Sequence, residues 1–296
     1  MKHMICLTVF IMLTCISGVN LAMAEEKQYP KNSFLDICNN PTASQQHTLE
    51  VLAKEIGMDY SKENCIWLKT KLKTVEYLYM HTKNISDLSP LIGLENINRL
   101  HLPNNKIKNL TPLSKLKTLK ELNLEDNLIQ DLTPLSSLTE LERLYIRGNK
   151  EGNLSDLSPL ITLKKLKKLW AGSNKITDIT PLRQLPQLDL LHIGLNQIIN
   201  VDALQYLVNL RNLDIRRNNR ISNISPLKNL TKLEDLHVGS NNIEDITPLE
   251  NLTNLKYLDL SGNPIREFSV IRKLKNLKNR RDLINYFMQR GYDEKK

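Results

Sequence analysis

Apolar residues return along this chain with a period of 22 residues. The stretch 119–140, LKELNLEDNLIQDLTPLSSLTE, has near copies on both sides. Equivalent blocks begin at Val75, Ile97, Leu119, Leu141, Leu166, Leu188, Leu210, Leu233 and Leu255, and a tenth would begin at Leu277. The steps are 22 residues, except 25 at the fourth block and 23 before Leu233. Positions 1, 4, 6, 11, 14, 17 and 20 carry Leu, Ile, Val, Met, Phe or Ala in all nine blocks. Ala171 alone is too small to be a full core residue. One block cannot bury its own apolar face, so the blocks must stack on one another.

Each block also predicts its own path. Leu122-Asn123-Leu124 alternates apolar and polar residues, as a short strand does. Asn follows at position 9 in eight blocks: Asn105, Asn127, Asn149, Asn174, Asn196, Asn218, Asn241 and Asn263, with Lys83 in the first. A stacked column of amides at such a bend can satisfy buried backbone groups of neighbouring turns. Thr133-Pro134 comes next and recurs as Ser or Thr before Pro in most blocks. It is a helix-start signal, with the hydroxyl expected to cap and Pro at the first helical position. The sum is an α/β solenoid with a parallel sheet on the concave side and short helical turns on the convex side.

The pattern LxxLxLxxNxIxDLxPLxxLxx resembles the 22-residue leucine-rich repeat of bacterial internalin-like proteins, over residues 75–276. The resemblance implies a leucine-rich repeat horseshoe. It also implies a secreted or surface protein whose concave face grips a protein partner.

Segments outside the repeats fit that expectation. Residues 1–24 read as a signal peptide: Lys2 is a short basic start, 4–19 are mostly apolar, and Ala22-Met23-Ala24 is a small-x-small cleavage site. The apolar stretch is short for a membrane span. The mature chain is expected to begin at Glu25, to be secreted, displayed on the cell surface or periplasmic, and to have no stable membrane insertion. Cys6 and Cys15 leave with the leader, and Cys38 and Cys65 are expected to pair in an oxidising compartment. Residues 25–74 read as a helical N-terminal cap. One helix spans 42–57, with a capping box at Thr42 and Gln45 and a stop at Gly57. A second helix starts at Ser61. Residues 277–296 read as a C-terminal helical cap, with Leu283, Ile284, Phe287 and Met288 at helical spacing and Gly291 after them.

Net charge is +9, or +8 once Lys2 is removed with the leader. The charges are spread out rather than gathered into one run. No nucleophile elbow, HExxH, P-loop or GxGxxG is present, so the sequence supports no enzyme and no cofactor. What it offers is a surface, because positions 3, 5 and 7 point off the concave sheet. Candidate protein-binding residues there are Tyr77, Tyr79, Arg99, His101, Arg143, Tyr145, Arg147, Trp170, His192, Asp214, His237, Tyr257 and Asp259. Trp, Tyr and Arg dominate interface energetics, so Arg143, Tyr145, Arg147, Trp170 and His192 form the expected hot spot, over a floor of Gly172, Gly194 and Gly239. The column His192, Asp214, His237, Asp259 is expected to be a charge-complementary ladder, with a zinc site as the lesser alternative. Glu121, Glu125, Asp214, Asp235 and Asp259 speak against a nucleic-acid groove. The expected partner is another protein, with a glycan as the alternative. A periplasmic scaffold or a regulatory subunit of an enzyme is the alternative function.

Overall fold

The structure, a computed structural model, describes residues 29–289. The expected signal peptide, residues 1–24, and Gly291 lie outside the described residues. Nine three-residue strands run from β1 (Tyr77–Tyr79) through β2 (Arg99–His101), β3 (Glu121–Asn123), β4 (Arg143–Tyr145), β5 (Lys168–Trp170), β6 (Leu190–His192), β7 (Asn212–Asp214) and β8 (Asp235–His237) to β9 (Tyr257–Asp259). They form one parallel sheet in chain order. Each residue pairs with its counterpart one block on, as in Tyr145 with Trp170. The seven apolar positions of every block lie in one continuous core, and only Val75, at the end of the stack, is partly exposed.

Position 8 turns the chain out of each strand. Thr82, Asn104, Asp126, Gly148, Ser173, Leu195, Arg217, Ser240 and Gly262 all take positive φ, from 51° to 78°. Only two are glycine, so seven blocks accept the strain an L-residue carries there, most of all at Leu195.

The Asn column does what its chemistry allows. Asn127 Nδ2 donates to Leu124 O in its own block and Leu102 O in the block before, while its Oδ1 accepts from Ile107 N–H at 3.0 Å. The fourth block's extra residues, 150–153, make a turn closed by Leu154 N–H to Asn149 O, and Asn174 Oδ1 then takes the Asn149 N–H at 2.8 Å. That insertion heals the column. The single extra residue near Asn219 and Arg220 was expected only to bulge the bend. It does more: Asn241 Oδ1, whose regular donor would be the Ile221 N–H, is buried without a partner.

The convex turns of the first eight blocks are 3₁₀ helices, and their caps differ from expectation. Where a Ser or Thr precedes Pro it is already the first helical residue, and its hydroxyl makes no cap bond. The acceptor lies two residues earlier: Thr133 N–H reaches Asp131 Oδ1 at 2.7 Å, Asp202 N–H reaches Asn200 at 2.7 Å, and Ser225 N–H reaches Asn223 at 2.9 Å. Such a turn satisfies an exposed backbone donor with a short side chain, and Pro then fits the next position. Hydrogen bonds from Thr133 and Thr180 hold the Asp131 and Asp178 carboxyls below their ordinary value.

Helices α1 (Phe34–Asn39), α2 (Ala43–Glu55) and α3 (Cys65–Leu72) lie against the first block. Thr42 and Gln45 form the expected capping box, and Gly57 leaves α2 with φ 72°. The helix expected from Ser61 begins at Cys65 instead, because Asn64 Oδ1 accepts from Ser61 N–H and closes a 3₁₀ turn over 62–64. Cys38 and Cys65 are disulfide-bonded, joining α1 to α3. Thr48 Oγ1 donates to Asp87 O at 2.8 Å, tying α2 to the first block. At the other end lie α4 (Val270–Lys273) and α5 (Arg280–Gln289). Phe287 stacks on Phe268, while Met288 faces solvent rather than the core. Asn279 Nδ2 donates to Leu258 O, and Tyr286 OH accepts from Gly262 N–H, so side chains close the outer edge of β9. Among the described residues no helix is long and apolar enough to cross a membrane.

Candidate functional site

Position 5 carries a row of rings across six strands. Tyr79 meets His101 edge-on at 4.8 Å, and His101 reaches past Asn123 to Tyr145 at 6.4 Å. Tyr145 and Trp170 stack at 4.2 Å with their planes 8° apart, and His192 stands edge-on to Trp170 at 5.9 Å. Such pairs stabilise by about 0.5–1.5 kcal/mol beyond their area burial. Burial, with Glu121 adding to it, raises the Tyr145 phenol above its ordinary pKa.

Glu121 gathers the cations of this half of the face. Its carboxylate lies 3.0 Å from His101 Nε2, 3.2 Å from Arg143 Nη1 and 3.8 Å from Arg99 Nε. Arg143 is therefore anchored, whereas Arg147 has no ion pair with any described residue and is the unpaired guanidinium of the expected hot spot. Tyr77 and Tyr257 are exposed but sit at the two ends of the sheet, away from the ring row, whose exposed first member is Tyr79. Arg99 lies over the Tyr77 ring and Lys278 over that of Tyr257.

The column His192, Asp214, His237 and Asp259 is in register across β6 to β9, with its two carboxylates hydrogen-bonded within their own blocks. Asp214, only 6% exposed, binds Arg216 Nε at 2.9 Å and the Arg216 N–H at 3.1 Å. It is a buried positioning carboxylate rather than a contact group. Asp259 likewise accepts from Ser261 N–H and Oγ. His192 Nε2 is buried without a partner. Burial lowers its pKa, Asp214 opposes that shift, and His237 and Arg216 reinforce it. Among the described residues no three His, Cys, Asp or Glu side chains converge on a metal position.

Beside the ring row the face opens into a hollow of about 410 Å³ over Gly172, Gly194 and Gly239, between Arg147, Trp170 and His192 on one side and Arg216, Arg217 and Ser261 on the other. Reading only positions 3, 5 and 7 missed its rim, which is position 8: Ser173, Leu195, Arg217 and Ser240. Leu195 carries the signal that could have found it. The other position-8 residues are polar or glycine, and Leu195 is 43% exposed at a left-handed φ of 59°.

A family model of leucine-rich repeats in two copies matches residues 117–162 and 208–251. No curated protein matches the sequence. Among solved structures, internalin C2 of Listeria monocytogenes is 29% identical, with 71% of this chain and 90% of that one covered at a TM-score of 0.63. An internalin of the same organism, inlF, is 28% identical over 80% of each chain, with a TM-score of 0.60. A leucine-rich repeat protein of Leptospira interrogans is 27% identical over 72% of this chain and 56% of its own, with a TM-score of 0.65. Repeat length, Asn column, sheet and neighbours agree: this chain is a bacterial, internalin-like leucine-rich repeat protein.

Proposed function

We propose that this is an exported binding protein without catalytic activity of its own, which recognises another protein through the concave face of β4 to β7. The observation that carries the reading is the stacked Tyr145–Trp170 pair standing beside a glycine-floored hollow with an unpaired guanidinium, Arg147, at its rim. Rigid aromatic rings next to a desolvated pocket are the usual anchors of a protein interface. A glycan fits this surface less well, because sugars stack on open ring faces and the Tyr145 and Trp170 faces are stacked on each other. A plant peptide hormone receptor with this fold, 22% identical, is solved in complex with RGF2. Export rests on residues 1–24 and on the Cys38–Cys65 bond, which belongs in an oxidising compartment.

The test is a pull-down from extracellular and surface fractions, with wild type beside Tyr145→Ala/Trp170→Ala. The expected result is a partner recovered by wild type and lost at least tenfold by the double variant. Equal recovery by both would remove the face from consideration. Fractionation of the native cell checks export, and a purely cytosolic protein would contradict it.

A further inference from the structure

In three blocks the backbone N–H at position 7 turns to the hollow side; the second block has Pro103 there and no N–H to offer. Glu125 N–H binds Asn123 Oδ1 at 2.9 Å, Arg216 N–H binds Asp214 Oδ1 at 3.1 Å, and Ser261 N–H binds Asp259 Oδ1 at 3.0 Å. In each case the acceptor is the side-chain oxygen at position 5. On β5 and β6 position 5 is Trp170 and His192, which have no oxygen to give. The N–H groups of Gly172 and Gly194 accordingly have no acceptor among the described residues, although both glycines are buried. The N–H groups of His81, Arg147 and Gly239, whose position-5 residues are Tyr79, Tyr145 and His237, likewise have no acceptor among the described residues; those of Gly172 and Gly194, about 4.8 Å apart on adjacent blocks, are the two that lie side by side on the glycine floor, where an incoming acceptor can pair with both.

The balance of charge and the shape point the same way: Arg147, Arg216 and Arg217 line the hollow against two carboxylates, Asp214 and Asp259, which are already engaged within their own blocks. Arg147 and Arg217 flank the floor and form no ion pair with the described residues, and Arg216 is held there through its Nε by Asp214. His192 lines the same hollow, and its Nε2 is also without a partner. Glycine keeps the floor open: a Cβ at Gly194 would come within 2.9 Å of Arg216 O, and one at Gly172 within 3.0 Å of Gly194 O.

We propose that Gly172 and Gly194, with Arg147 beside them, receive a carboxylate from outside: an Asp or Glu side chain of the protein partner, docking where Asp214 and Asp259 dock in their own blocks. This deepens the reading of the concave face as a protein-binding surface and rests on it. The incoming carboxylate accepts two backbone N–H bonds from the floor and an ion pair from Arg147, a charge-assisted arrangement stronger than neutral hydrogen bonds.

The experiment is a titration of isotopically labelled protein with N-acetyl-aspartate N-methylamide, followed by amide NMR, beside the asparagine analogue and inorganic phosphate. Saturable downfield shifts of the Gly172 and Gly194 amides with the aspartate derivative, absent with asparagine, are expected. Arg147→Gln is expected to weaken binding about tenfold, equivalent to about 1.4 kcal/mol. Gly194→Ala, which fills the floor, is expected to abolish it. Equal shifts with both derivatives, tighter binding of phosphate at the same amides, or wild-type affinity in Arg147→Gln would overturn the site. The probe binds without a partner, so the two readings fail separately. Probe binding with no partner recovered removes the proposed function alone. Partner recovery that depends on Tyr145 and Trp170, with no probe shift, removes this site alone.

Discussion

Replacing Asn174 by Ala should destabilise the protein by clearly more than replacing Asn241, although both are buried and occupy the same repeat position. Asn174 Nδ2 donates to Ile146 O and Ala171 O, and Asn241 Nδ2 donates to Ile215 O and Val238 O. Every one of those carbonyls also accepts from a neighbouring Asn, so neither substitution orphans a carbonyl. Losing the two shared bonds costs about 1–3 kcal/mol in either variant, at about 0.5–1.5 kcal/mol each. The difference is on the oxygen. Asn174 Oδ1 holds the Asn149 N–H at 2.8 Å, whereas Asn241 Oδ1 holds nothing. Asn174→Ala therefore strands a buried donor and costs about 1–3 kcal/mol more. Because the two cavities left are of similar size, the packing loss largely cancels in the comparison. Urea unfolding at fixed pH measures both, and hydrogen exchange at the Asn149 amide reads the stranded donor directly. Equal costs within about 0.5 kcal/mol, or a still-protected Asn149 amide, would refute the reasoning.

Three further outcomes are expected. Asn223→Ala should cost about 1 kcal/mol by removing the acceptor for Ser225 N–H, while Ser225→Ala should cost less than half of that; thermal melts that reverse this order would return the capping role to the hydroxyl. Reducing Cys38–Cys65, with a sequence separation of 27, should destabilise the cap by about 3–4 kcal/mol on the chain-entropy account, read as lost exchange protection in α1 and α3. The His192 ring should titrate below its ordinary value of about 6.5, because burial outweighs the opposing Asp214 and is reinforced by His237 and Arg216. The unfolded ring then binds a proton before the folded one does, so the associated stability is present above about pH 6.5 and lost as pH falls through the folded pKa. His192→Gln should flatten stability between about pH 7.5 and 5, and an unchanged slope would contradict this.

The fold was legible because one period controls it. Seven apolar positions repeated nine times leave a stack as the only burial available, and Asn127 with its counterparts announces the bend. Local chemistry without a period was harder to read. Helix α1 is six residues long and has too few turns to show an apolar stripe. Asp131 was visible as a recurrent acid, yet the neighbouring Thr133-Pro134 pair matches a familiar α-helical start, and a 3₁₀ turn uses the residue two places earlier. At the candidate site the sequence gives the ring row through its single position in each block. It cannot say that Glu121 anchors Arg143 and leaves Arg147 unpaired, because that choice depends on which long side chains meet across strands. The pairing of Asp214 with Arg216 is decided in the same way.

The missing rung at Asn241 gives the solenoid a seam. Each block is held only by the blocks next to it, so the whole stack parts most easily where one join is weakest. Between β7 and β8, with the first seven blocks on one side and the last two on the other, Asn241 Nδ2 still reaches Ile215 O, but the column is one bond short. The hollow straddles that join, with Arg216 and Arg217 on the near bank and Gly239 and Ser240 on the far one. Anything bridging the two banks would act as a clasp, and its grip would register as resistance of the entire rod to coming apart.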